Sequence, residues 1–190
     1  MHVTSRAQRT SRMTIAAVLL GALMVTGFMP SQAEAAPASI PKPPANHAKG
    51  VSLIDVASGR IIYSNRGDEP MLIASLTKIM TAIVAIEHGR LDDLVTVSKR
   101  AAGKEGSSIY LKVGEKIQLR NLIYGLMLRS GNDAATAIAE HVGGSIGGFA
   151  FLMNKKAAEI GLSNSQYMNP HGLDEPGHYA SANDLAMLTA

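Results

Sequence analysis

Two short patterns pair residue types that can carry out nucleophilic chemistry. The first is Ser75-Leu76-Thr77-Lys78. On a helix, positions i and i+3 share a face, so the lysine can reach the serine hydroxyl. A serine hydroxyl is a weak nucleophile and needs a base to take its proton. A lysine serves as that base only where burial or neighbouring positive charge lowers its pKa. The apolar neighbours Leu76, Ile79 and Met80 suit such a desolvated start of a helix, whose N-terminal amides also favour a developing oxyanion. The second pattern is Ser130-Gly131-Asn132, between two helical runs. A loop serine there can relay a proton to a leaving group, and an asparagine can hold a substrate amide.

Neither pattern is specific alone, because chance supplies about one of each in a chain with this many serines, lysines and asparagines. Each occurs twice. Ser39-Ile40-Pro41-Lys42 lies in a proline-rich stretch that cannot be helical, and Ser181-Ala182-Asn183 reads as a helix N-cap. What raises the first copies above chance is their setting.

The elements that must position them follow from periodicity. Val51–Val56 and Ile61–Ser64 flank the turn Ala57-Ser58-Gly59-Arg60 and predict a hairpin, which needs further strands or a helix to cover it. From Ile73 the period becomes helical through Leu76, Ile79, Met80, Ile83, Val84 and Ile86, and Gly89 ends it. Further helices are predicted from Leu119 to Met127, from about Asp133 to His141, from about Phe149 to Ile160, and from Ser181 onward. Asn164 to Gly177 is rich in turn residues. Met80, Met127 and Met153 read as core filler, Lys155-Lys156 as a solvated face, and Asp133 as a carboxylate suited to a helix start.

Residues 1–35 read as a secretory signal peptide. Arg6, Arg9 and Arg12 precede an uncharged apolar run from Thr14 to Phe28, and Ala33-Glu34-Ala35 offers a cleavage site. Residues 36–49, with Pro37, Pro41, Pro43 and Pro44, form a linker, and residues 50–190 form the folded part. The formal charge of +3 in the 190-residue chain arises mainly in the signal, so its basicity is no argument for nucleic acid. The absence of cysteine excludes disulfides, thiolate metal sites and a thiol nucleophile. His47, His88, His141, His171 and His178 are scattered without helical pairing, so neither a metal nor a cofactor is expected.

Three segments together resemble the low-molecular-mass penicillin-binding proteins, the serine D-alanyl-D-alanine carboxypeptidases of peptidase family S11. They are Ile73–Ala82 around the first pattern, Leu128–Ala134 around the second, and Asn169-Pro170-His171-Gly172-Leu173 followed by Gly177–Ala182. The resemblance implies an α/β (α+β) fold of the β-lactamase and penicillin-binding transpeptidase type: an antiparallel sheet with a helical subdomain. On that scheme the hairpin covers 51–64, the nucleophile helix 75–88 and the helical subdomain about 90–180. It implies Ser75 as nucleophile, Lys78 as its base, Ser130 as proton shuttle and Asn132 as substrate-amide holder. The substrate would be a peptidoglycan pentapeptide, with β-lactams as acylating inhibitors, outside the cytoplasmic membrane. The family's K-T-G motif is absent from these 190 residues. The expectation is therefore a truncated chain whose later sheet strands, and any membrane attachment, lie beyond it. A class A β-lactamase is a weaker alternative, because the second motif reads Ser-Gly-Asn and not Ser-Asp-Asn. An inactive truncated fragment is the other.

Overall fold

A computed structural model describes residues 41–190. The predicted signal peptide and Ser39 lie outside the described residues. The compact unit spans Asn46–Ala190.

Strands β1 (Val51–Asp55) and β2 (Arg60–Asn65) form an antiparallel hairpin with a register shift after Leu53. A 3-10 turn, Ala74–Leu76, leads into helix α1 (Thr77–His88). Helix α2 (Lys99–Ala102) lies between β3 (Leu94–Thr96) and β4 (Lys116–Gln118), which pair antiparallel as a second small sheet. Helices α3 (Leu119–Arg129), α4 (Asn132–Gly143), α5 (Ile146–Glu159) and α6 (Ala182–Thr189) complete the order.

The core is built around α4, which packs against α1, α2, α3 and α5. Its residues Asn132–Ala139 are all buried. A helix buried on every face is mostly apolar or small, with its polar residues paired: Ala134, Ala135, Ala137 and Ala139 let its neighbours approach closely, and Thr136 donates to the Asn132 carbonyl at 2.8 Å. Met80 and Val84 of α1, Leu122 and Leu126 of α3, and Phe149 and Met153 of α5 close around it. Asn132 stands at the head of this buried helix.

The hairpin gains its cover from α6, which lies against β1. Ser181 caps α6 by accepting a hydrogen bond from the Asp184 amide at 3.1 Å. Asn183 donates to Asp68 at 2.9 Å and accepts from Ser64 at 3.1 Å. The second Ser-x-Asn copy is thus structural. Leu53, Val56 and Ile62 of the hairpin stay exposed.

Three sequence expectations differ from what is observed. Met127 is 48% exposed and borders a cleft beside Ser75, because α3 turns that face outward. Lys156 does not point freely into water. It bridges α5 to α1 through Glu87 at 2.6 Å while also meeting Glu159 at 3.1 Å. Asp133 does more than favour the helix dipole. It accepts hydrogen bonds from Ser108 Oγ at 2.6 Å and from the amides of Ile109 and Leu111 at 3.1 Å. Burial alone would raise its pKa, but these bonds together with one from the Ala134 amide outweigh burial and hold it below the usual carboxylate range.

Candidate active site

The first turn of α1 sets the geometry. Ser75 sits on the 3-10 turn and Lys78 on the first turn of the α-helix. Three positions apart across this junction, the two side chains share one face. Lys78 Nζ donates to Ser75 Oγ at 3.0 Å. It also donates to the backbone carbonyl of His171 at 2.8 Å. Ser75 is exposed, whereas Lys78 is 3% exposed. A nucleophile open to substrate is thus backed by a buried amine. Burial lowers Lys78 from 10.5 to about 8.

Ser130 approaches from the other side. It is the C-cap of α3 in the left-handed conformation, at φ 56°. That turn aims its hydroxyl at Ser75, to which it donates at 3.0 Å. Ser75 Oγ therefore lies between an amine and a second hydroxyl. Asn132 follows at the head of α4, where its Nδ2 donates to the Glu105 carbonyl at 2.8 Å. Its backbone N–H donates to the Ser107 carbonyl at 2.7 Å. Of the four sequence-predicted residues, the structure brings three together, Ser75 touching both Lys78 and Ser130, whereas Asn132, two residues beyond Ser130, is buried with its amide on the Glu105 carbonyl and does not border the cleft beside Ser75. That cleft, of about 360 Å³, is bordered by Ser75, Lys78, Ser130, Ile79, Leu126 and Met127.

Ala74, just before Ser75, has φ 43°, a region that costs a non-glycine residue about 1–2 kcal/mol. Such strain beside a candidate nucleophile persists only where neighbours over-determine the backbone. The neighbours here are residues 168–178. Thr81 Oγ1 donates to the Pro170 carbonyl at 2.7 Å, and Thr77 Oγ1 meets His178 Nε2 at 2.7 Å. Asn169 braces the loop from within, accepting from the Gly172 amide at 2.8 Å and donating to the Leu173 carbonyl at 2.9 Å. The His171 ring serves the loop: burial, then the charge of Lys104, pushes its pKa down to about 3, and its Nδ1 accepts from the Leu173 amide at 3.2 Å. Sequence reasoning found Asn169–Leu173 only through the resemblance. The loop acts on Lys78 through a backbone carbonyl, which leaves no residue-type signal.

The arrangement can deprotonate a hydroxyl and deliver a proton to a leaving group on the far side. Among the described residues, no group of three or more His, Cys, Asp or Glu is placed to hold a metal. No carboxylate among them hydrogen bonds to Ser75 or Lys78.

Comparison with known proteins gives a consistent result. Residues 37–190 match the family model for peptidase S11, D-alanyl-D-alanine carboxypeptidase. The chain is 37% identical over 179 residues to D-alanyl-D-alanine carboxypeptidase DacF of Bacillus subtilis, covering 92% of this chain and 46% of the relative. It is 39% identical over 189 residues to DacD of Escherichia coli, covering 94% and 48%. Among solved structures it resembles a D-alanyl-D-alanine carboxypeptidase from Mycobacterium tuberculosis, with TM-score 0.76 and 30% identity over 80% of this chain and 58% of that one. It also resembles penicillin binding protein 6B from Escherichia coli, with TM-score 0.74 and 36% identity over 80% and 51%. The chain thus spans about half the length of the curated relatives it matches.

Proposed function

The chain belongs to the peptidase S11 family of D-alanyl-D-alanine carboxypeptidases, and on that premise we propose that it contributes the nucleophilic site of a serine D-alanyl-D-alanine carboxypeptidase. The observation that carries the reading is Ser75 Oγ held 3.0 Å from both Lys78 Nζ and Ser130 Oγ.

The roles follow from that contact. Neutral Lys78 takes the Ser75 proton as Oγ bonds to the carbonyl carbon between two terminal D-alanines. The charge on the carbonyl oxygen develops near the N-terminal end of α1, where the helix dipole favours it. As the carbon–nitrogen bond breaks, Ser130 gives its proton to the departing amine and draws a replacement from Lys78, returning the lysine to neutrality. Asn132 orients the substrate amide. Water then hydrolyses the acyl-enzyme. β-Lactams would stop at the acyl stage. The carboxypeptidase reading stands above the β-lactamase one on a specific observation. That observation is the match of residues 37–190 to the carboxypeptidase family model, together with a second motif that reads Ser130-Gly131-Asn132 and not Ser-Asp-Asn.

The test is D-alanine release from a peptide ending in D-alanyl-D-alanine, using a protein that includes this chain and its natural continuation. Release from that peptide, and none from its L-alanyl counterpart, supports the reading. Equal release from both, or none from either, would sink it.

Acylation carries a pH signature. Lys78 must be unprotonated to act, and its pKa is depressed to about 8. At pH 7 about one-tenth of it is neutral, against well under one-thousandth for an unperturbed lysine. The acylation rate constant is expected to rise about tenfold per pH unit below 8 and to level off above it. A profile flat from pH 6 to 9 would remove Lys78 from the base role.

We further place the protein outside the cytoplasmic membrane, on the strength of the arginine-flanked apolar run and Ala33-Glu34-Ala35. Among the described residues, no helix is long and apolar enough to cross a membrane. N-terminal sequencing of the exported protein should begin near Ala36. An intact Met1 in a membrane fraction would make the segment an anchor.

A further inference from the structure

The geometry points to Thr77 and His178 as positioning residues: we propose that their hydrogen bond clamps residues 168–178 onto the first turn of α1 and so holds Lys78 against Ser75. The inference rests on the reading above for the reaction it serves, but the clamp is a property of the fold and is measurable apart from turnover.

Thr77 and His178 are both buried, at 0% and 2% exposure, and their side chains meet at 2.7 Å. His178 Nδ1 accepts from the Met168 amide at 3.0 Å. A nitrogen that accepts carries no proton, so the ring's hydrogen is on Nε2 and is donated to Thr77 Oγ1. His178 is therefore a three-way junction. It joins the start of the loop at Met168, the end of the loop at its own backbone, and the nucleophile helix at Thr77. Its ring packs T-shaped with that of Tyr167, centroids 5.9 Å apart and planes at 88°, which restrains its orientation.

Thr77, Lys78 and Thr81 lie on one side of the first turn of α1, and all three engage this loop. Lys78 and Thr81 are bonded to backbone carbonyls. Only the Thr77 contact joins side chain to side chain across the two segments, so it can be removed without altering the loop's own backbone. Burial lowers the pKa of His178, opposed by the charges of Glu175 and Asp174. Among the groups packed with this loop, Lys104 and Lys78 act on His171, whose pKa burial and these charges lower. The neutral His178 tautomer is the one the bonding requires. With the clamp released, the loop that covers Lys78 no longer excludes water. The amine then regains hydration, returns toward its ordinary pKa, and loses the His171 carbonyl that aims it.

The test compares Thr77→Val, which keeps the shape and removes the hydroxyl, with Thr77→Ser, which keeps the hydroxyl. Penicillin acylation is resolved into the encounter constant and the acylation rate constant across pH. In parallel, Lys78 is titrated by NMR on protein labelled with 13C at lysine Cε, its resonance assigned by its loss in Lys78→Arg. Thr77→Val should lower the acylation rate constant about tenfold, the scale of one hydrogen bond, and leave the encounter constant within about twofold. The Lys78 midpoint should move from about 8 toward 10.5. Thr77→Ser should restore both. His178→Gln, whose amide can take the same two partners, should retain most of the rate, and His178→Leu should lose it. A folded Thr77→Val or His178→Leu with the wild-type rate and wild-type Lys78 midpoint overturns the clamp. If the wild-type protein is not acylated at all, the catalytic reading fails, while the Lys78 titration in Thr77→Val still decides the clamp.

Discussion

Ser75→Ala is expected to abolish covalent labelling by a fluorescent penicillin, lowering it by more than about 10³-fold, because among the described residues no other hydroxyl has the same two partners. Ser130 is the nearest alternative, but its hydroxyl hydrogen bonds to Ser75 and not to an amine. Lys78→Ala should lower labelling by about 10²–10⁴-fold, the usual worth of a positioned base. The remaining hydroxyl would then lack a proton acceptor within one helical turn. Ser39→Ala, in the other Ser-x-x-Lys copy, should leave labelling unchanged. The assay requires full-length protein and a cooperative thermal transition for each variant, so that lost labelling is not lost folding. Labelling that survives Ser75→Ala would assign the nucleophile elsewhere and remove the basis of the mechanism.

How much of this was legible beforehand depended on whether the signal was local. Ser75 with Lys78, and Ser130 with Asn132, are neighbours in sequence, and their spacing survives into the contacts that bring them together. The hairpin and the four longer helices announced themselves by periods of two and 3.6. Residues 90–118 did not. Strands of three residues, Leu94–Thr96 and Lys116–Gln118, are too short for any period to register, and they are set by tertiary packing of Val95 and Val97. The 55-residue separation of Ser75 from Ser130 was also silent in the sequence. It is bridged because α1 and α3 both pack on α4. Asp133 was visible as a helix-start carboxylate, but its partners lie 22 to 25 residues away. The support around Lys78 was the least legible. It comes from the carbonyls of Pro170 and His171, and a carbonyl is the same on every residue.

Gly172→Ala is expected to be the most damaging single methyl addition near the site. Gly172 has φ 83°, where a side chain costs about 1–2 kcal/mol through contact with its own backbone. That cost alone is tolerable, and Gly177, at φ 85°, provides the measure of it. A Cβ on Gly177 would meet nothing nearer than 3.7 Å, so Gly177→Ala should cost about 1–2 kcal/mol and leave acylation near wild type. At Gly172 the added carbon would fall 1.8 Å from the carbonyl oxygen of Ala74 and 2.8 Å from Thr77 Oγ1. The obstacle at Ala74 is backbone, which cannot rotate aside as a flexible side chain can. Either the loop lifts from α1 or the strained Ala74 peptide shifts. The first movement withdraws the His171 carbonyl from Lys78, and the second moves Ser75 itself. Both separate nucleophile from base, where about 1 Å of misplacement can cost about 10²-fold. Overpacking adds about 1–3 kcal/mol to the conformational cost, so Gly172→Ala should lower stability by roughly 2–5 kcal/mol. In a domain of this size that corresponds to a fall in Tm of roughly 5–20 °C. Penicillin labelling measured well below the variant's own Tm should fall about 10²-fold, while Gly177→Ala stays close to wild type. If the two alanine variants behave alike in both measurements, the loop does not press on the nucleophile turn, and the strain at Ala74 has another cause.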